Sequence, residues 1–146
     1  MPLTPRPGIL EITPYVGGES TLSGANRVIR LASNENPLGT SPRAAAAYAA
    51  QQGELHRYPD GGADALRAAI GELHGVEPER VVCGGGIDEL IALLVRAYAG
   101  PGDEVLYSAH GFLMYAIAAK GAGATPVSAP ERDLTADVDA LLQAIP

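Results

Sequence analysis

The stretch VVCGGGIDELIALLVRAY, Val81 to Tyr98, decides how the chain is read. Val81, Val82 and Cys83 form a short apolar run that predicts a buried strand. Three glycines follow, Gly84 to Gly86, and then a helix opening at Ile87. Ile87, Leu90, Ile91, Leu94, Val95 and Tyr98 recur at helical spacing and make one apolar face. Glycines at such a turn let backbone approach a ligand without an intervening Cβ. The first N–H groups of a helix lack intrahelical partners and sit at the positive end of its dipole. Strand, turn and helix start therefore compose a phosphate cradle. Asp88 and Glu89 add negative charge beside it, so the cradle has to work through backbone amides with those acids turned aside. The pattern is neither G-x-G-x-x-G, because Glu89 takes the third glycine position, nor a nucleotide-triphosphate loop, which needs G-K-[ST]. A glycine-lined turn that only permits tight packing fits the spacing equally well.

Outward from this stretch, the same alternation of short strands and helices continues. Glu104 to Tyr107 and Ala124 to Val127 read as strands, with a helix from Gly111 to Lys120 between them. Upstream, Ser41-Pro42 marks a capped helix start and an alanine-rich helix that runs to Gln52. A second helix carries Leu66, Ala69, Ile70 and Leu73 and closes at His74-Gly75. Arg27 to Ala32 reads as a strand, and Thr135 or Asp137 caps a last helix reaching Ile145. Strands separated by single helices predict an α/β protein with a mostly parallel sheet and flanking helices. Residues 1–30 read as an extended arm and 31–146 as the body. Ile9, Leu10, Ile12, Tyr15 and Val16 are too apolar for a solvated tail, so the arm is expected to lie along a surface, a second subunit being one candidate.

Bulk composition narrows the function classes. At 146 residues and 47% hydrophobic content, the chain can bury a core and is not a disordered segment. A net charge of −7, without a basic run, argues against nucleic acid or an anionic membrane as partner. One cysteine allows no internal disulfide and fits a cytoplasmic protein. No apolar stretch is long enough to span a bilayer. His56, His74 and His110 lack ligand spacing, so no metal is expected. Arg96 and Arg132 read as solvated or capping charges.

Five segments together narrow the reading further. LASNENPLG (Leu31 to Gly39), HRYPDGG (His56 to Gly62), GGGIDELI (Gly84 to Ile91), PGDEVLY (Pro101 to Tyr107) and HGFLMY (His110 to Tyr115) occur in this order. The set, spread over nearly the whole chain, resembles the histidinol-phosphate aminotransferase family of fold-type I pyridoxal-phosphate enzymes. It departs from that family at Gly17-Gly18-Glu19, where many relatives have Pro-Gly and a basic residue. Ala109-His110-Gly111 likewise replaces a usual proline-containing turn.

The resemblance implies the N-terminal part of a pyridoxal 5′-phosphate-binding large domain. It also implies transamination between L-glutamate and imidazole-acetol phosphate, a phosphorylated substrate, in a homodimer. Position by position, it assigns the amides of Gly86, Ile87 and Asp88 to the cofactor phosphate and Phe112 to stacking on the pyridine ring. It gives Tyr58 to the cofactor phosphate of a neighbouring subunit, and Asn34, Glu35 and Tyr15 to the substrate. An aromatic or other amino-acid aminotransferase of the same fold is a second reading, and a non-catalytic phosphate-binding module a third. Such chemistry needs a lysine that forms a Schiff base and an acid on the pyridine nitrogen. In the resembled family both come from later in the chain, with a further small domain. The one lysine here, Lys120, falls at a predicted helix end. The expectation is thus an N-terminal piece of an enzyme, inactive alone, with unpaired strand edges.

Overall fold

The computed structural model describes residues 4–16, 23–24 and 34–146. The strand expected at Arg27 to Ala32 and the departure at Gly17-Gly18-Glu19 lie outside the described residues. Two units divide the chain, Met1–Tyr15 with Val82–Pro146, and Val16–Val81.

In the first unit, helix α3 (Ile87–Tyr98) begins where glycine ends and the leucine-rich run allows i, i+4 packing. Ile91 and Val95, one turn apart, are its buried residues, and the helix packs against α4 (Met114–Ala122). Ala119 of α4 is fully buried, and with Ala124 and Ala129 it completes a core of mostly small side chains. Strand β1 (Glu104–Ser108) pairs in parallel with β2 (Thr125–Ala129), Leu106 opposite Val127. Helix α4 makes the crossover between them, as a parallel pair requires. A two-rung antiparallel hairpin follows, β3 (Glu131–Arg132) with β4 (Thr135–Ala136). Asp137 then caps α5 (Val138–Gln143), its Oδ1 accepting from the N–H groups of Asp139 and Ala140 at 3.1 and 3.2 Å. Asp137 also receives Arg132 Nη2 at 2.9 Å, so Arg132 is paired rather than simply solvated.

The second unit contains α1 (Pro42–Ala50) and α2 (Asp64–His74). Pro42 opens α1 as expected, but Ser41 makes no side-chain capping bond, and the helix stops at Ala50, two residues short. Helix α2 closes at His74 as expected, with Gly75 capping it in the left-handed region. It rests on the turn Pro78–Arg80, where Arg67 Nε donates to the Pro78 carbonyl at 2.9 Å.

Three expectations are corrected. Val81 to Cys83 is not a strand: it is extended at Val81 (φ −98°, ψ 125°), but no ladder forms there among the described residues, and Val82 is 75% exposed. A strand exists only through its neighbour's hydrogen bonds, and among the described residues β1 and β2 are bonded only to each other. Helix α4 starts at Met114, not Gly111, and ends at Ala122 with Gly123 as its left-handed cap. Thr135 lies in β4 and caps nothing, and α5 ends at Gln143, short of Ile145.

Candidate functional site

The turn before α3 has the geometry of a cradle, with one acid inside it. Gly86, the N-cap, sits at φ 107° and ψ −179°, a conformation that a side chain would strain. A Cβ there would meet nothing within 4 Å, so the space beside the helix start is open. Gly86 offers no side chain as cap, and the first intrahelical bond runs from Leu90 N–H to the Gly86 carbonyl at 3.2 Å. The amides of Ile87, Asp88 and Glu89 therefore have no acceptor within the helix. The expectation that both acids turn aside is corrected for Glu89. Its Oε2 accepts the Gly85 N–H at 2.5 Å, and a Cβ on Gly84 would stand 2.9 Å from the same oxygen. A carboxylate is the nearest anion available to such a loop, which explains the contact.

After β1 the chain makes a tight turn that presents Phe112. Ala109 N–H reaches the Ala129 carbonyl at 2.8 Å, and Gly111 N–H turns back to the Ser108 carbonyl at 2.7 Å. Only glycine fits at 111, because a Cβ would lie 2.8 Å from that carbonyl oxygen and 3.3 Å from the Tyr115 ring. Phe112 stands edge-to-face with Tyr115, centroids 6.3 Å apart at 86°, and is 37% exposed. It precedes α4 rather than lying on it.

Residues 6–15 of the N-terminal segment lie along the chain's own α4. Arg6 Nη2 donates to the Gly121 carbonyl at 2.7 Å, and Lys120 Nζ to the Glu11 carbonyl at 3.1 Å. At the other end of the helix, Tyr15 meets Phe112 edge-on, centroids 6.4 Å apart at 78°. Two residues singled out from segments nearly a hundred positions apart are thereby brought together.

The remaining candidates belong to the second unit. Asn34 is exposed and left-handed at φ 51°, and Glu35 is exposed beside it. Tyr58 is 99% exposed at the edge of an open cleft of about 560 Å³ that also includes Leu55, Arg57 and Asp60. Asp60 closes that loop: its Oδ2 accepts Asp64 N–H at 2.8 Å and its Oδ1 accepts Gly62 N–H at 3.0 Å. Those two donors, with Arg67 nearby, hold its carboxyl below the ordinary aspartate range.

Sequence reasoning missed one cluster. Glu131 Oε1 accepts the backbone N–H of His110 at 3.0 Å, and its Oε2 meets His110 Nδ1 at 2.9 Å. The backbone N–H of His110 chiefly, then its ring and the Ser108 hydroxyl, keep the Glu131 carboxyl below the usual glutamate range. The Glu131 side chain is 7% exposed. The partners are 21 residues apart, so no local spacing could reveal them.

The sequence matches the family model described as aminotransferase class I and II over residues 26–146. The chain belongs to that family. Histidinol-phosphate aminotransferase of Paramagnetospirillum magneticum is 65% identical over 97% of this chain. That of Rhodospirillum rubrum is 64% identical over 97%. The chain spans 39% and 38% of their lengths. Among solved structures, it is similar to histidinol-phosphate aminotransferase from Sinorhizobium meliloti in complex with pyridoxal-5′-phosphate. The TM-score is 0.73 at 28% identity, covering 77% of this chain and 31% of that one. An α-aminoadipate aminotransferase from Thermus thermophilus, complexed with N-(5′-phosphopyridoxyl)-L-leucine, gives 0.57 at 28% identity, covering 70% and 27%. The expected α/β architecture is that of an aminotransferase of this family. Among the described residues, no helix is long and apolar enough to cross a membrane.

Proposed function

We propose that this chain provides the cofactor-phosphate and ring-stacking part of a pyridoxal 5′-phosphate-dependent histidinol-phosphate aminotransferase. The amino group would pass between L-glutamate and imidazole-acetol phosphate, in a homodimer. The observation that carries the reading is 65% identity to a protein of that name over 141 residues. The local chemistry fits the cofactor: a glycine turn whose open side takes an anion, and an aromatic plate half-exposed between two tyrosines. Bound pyridoxal phosphate supplies the electron sink that transamination requires.

In this reading, the amides of Gly86, Ile87 and Asp88 bind the cofactor phosphate and fix its position. Phe112 lies against the pyridine ring and excludes water from that face. Tyr15 is carried to the substrate side by the arm. Asn34 and Glu35 contact substrate, and Tyr58 reaches a phosphate held by a second subunit. Residues 1–30 act as the arm and 31–146 as part of the cofactor domain. Lys120 is committed to the Glu11 carbonyl, so these 146 residues bind and orient but do not turn over alone.

The test compares pyridoxal phosphate with pyridoxal in titrations followed by induced circular dichroism. The phosphate form should bind at least about tenfold more tightly, since a charge-assisted anion contact contributes about 1.5–3 kcal/mol. Gly86→Ala should abolish the difference. Equal binding of the two forms would sink the proposal.

A further inference from the structure

The turn that presents Phe112 is held from outside by a single carboxylate, that of Glu131. Glu131 lies two residues past the end of β2, and its side chain is almost wholly enclosed while its partner His110 is 68% exposed. Both carboxylate oxygens point at the β1–α4 turn. One takes the His110 N–H at 3.0 Å, and the other lies 2.9 Å from the imidazole Nδ1. Ser108 ends β1, and Phe112 follows His110 by two residues. Between them, Gly111 N–H closes on the Ser108 carbonyl at 2.7 Å, so the turn has little remaining freedom once His110 is tied to Glu131.

A carboxylate packed against protein on most of its surface needs hydrogen-bond partners, and a hydrophobic residue of similar size would satisfy the packing alone. The neighbouring sheet needs no such anchor, because the β1–β2 ladder and the Ala109–Ala129 bond already hold it. What the carboxylate adds is a defined path for residues 108–112.

We propose that Glu131 is a positioning residue for the ring site, clamping the β1–α4 turn at the backbone and ring of His110 and so setting the plane of Phe112. The inference rests on the assignment of Phe112 to the cofactor ring, but the clamp itself can be read without any ligand. His110 contributes both a backbone and a ring contact, and Tyr15 and Tyr115 border the plate that results.

Phe112 is the one phenylalanine in the chain, so fluorophenylalanine labelling yields one ¹⁹F resonance. In the unliganded wild-type chain it should be shifted from its position in urea by the flanking tyrosine rings. Glu131→Ala should move the line most of the way to the urea value. Glu131→Gln should leave it near wild type, because its amide oxygen still accepts the His110 N–H. His110→Ala spares the carboxylate, removes only the ring contact and should give an intermediate shift, which serves should Glu131→Ala not fold. Titration with pyridoxal phosphate should then show about two- to tenfold weaker binding for Glu131→Ala, the range expected for losing one well-placed aromatic contact. An unmoved ¹⁹F line in folded Glu131→Ala, or in His110→Ala, overturns the clamp. A wild-type chain that binds no pyridoxal phosphate overturns the cofactor assignment, while the ¹⁹F comparison still decides the clamp.

Discussion

Lys120 Nζ donates to the backbone carbonyl of Glu11 at 3.1 Å, so the only ammonium side chain in the sequence is spent fastening the arm to α4. Arg6 secures the arm a few residues earlier, on the Gly121 carbonyl at the same helix end. Two cations at a helix C-terminus also favour its dipole. Between this anchor and the Tyr15–Phe112 contact, the arm spans the length of α4. Lys120→Met should therefore detach residues 6–15 without unfolding the helix. Limited proteolysis within the arm should accelerate about three- to tenfold, as expected for losing a charge-assisted bond of about 1 kcal/mol on an exposed segment. The ring-current shift between Tyr15 and Phe112 should shrink in parallel. Unchanged cleavage would mean that Arg6 alone holds the arm.

The Glu89–Gly85 contact makes a separate claim about the anion site. A carboxylate that bonds to the loop amide both mimics and repels the phosphate proposed for the adjoining amides. Glu89→Gln keeps an oxygen for Gly85 N–H and removes the negative charge. Affinity for pyridoxal phosphate should rise about two- to fivefold at low salt, and the gain should fade as ionic strength increases. Isothermal titration at two salt concentrations measures it, and a loss of affinity would show that Glu89 supports the cradle rather than competing with it.

What the sequence made legible was local. Helix α2 closes at His74 because Gly75 supplies the left-handed cap, and α3 opens at Ile87 because three glycines cannot sustain a helix. The parallel pairing of β1 with β2 follows from the helix between them. The misses are long-range. Val81 to Cys83 has strand composition, yet a ladder needs a partner that composition does not name. The helix expected from Gly111 starts at Met114, because the amides of residues 109–111 are bound to Ala129, Glu131 and Ser108 instead. For the candidate site, the glycine turn was visible in the residues themselves and Phe112 was singled out only by the resemblance, whereas Glu131 carried no local signal at all.

The apolar face of α3 is covered along one edge only. Ile91 and Val95 are each 8% exposed, while Ile87 and Leu94 are 62% and Tyr98 82% exposed. Substitutions on the two edges should separate cleanly. Ile91→Ala should cost about 2–3 kcal/mol in urea unfolding, a typical price for a buried aliphatic truncation. Leu94→Glu should leave stability within about 0.5 kcal/mol and reduce concentration-dependent association on size exclusion. A large destabilisation by Leu94→Glu would place that edge inside the core.

Asp137 gives the clearest pH dependence. The Ala140 N–H above all, then the Arg132 guanidinium and the Asp139 N–H, hold its carboxyl below the ordinary aspartate range. A group whose folded pKa lies below its unfolded value of about 3.9 contributes stability that is fully present above that value. The contribution disappears as pH falls through the lower, folded pKa, because the native state must then take up a proton at the cap. Asp137→Asn retains an oxygen for the two amides and cannot ionise. It should be nearly as stable as wild type at pH 7, losing only the exposed Arg132 pairing, and its urea midpoint should fall less steeply between about pH 5 and pH 2. Parallel acid slopes for the two proteins would locate the acid sensitivity elsewhere, with Asp60 as the next carboxylate to replace, since it too carries two backbone N–H donors at a helix start.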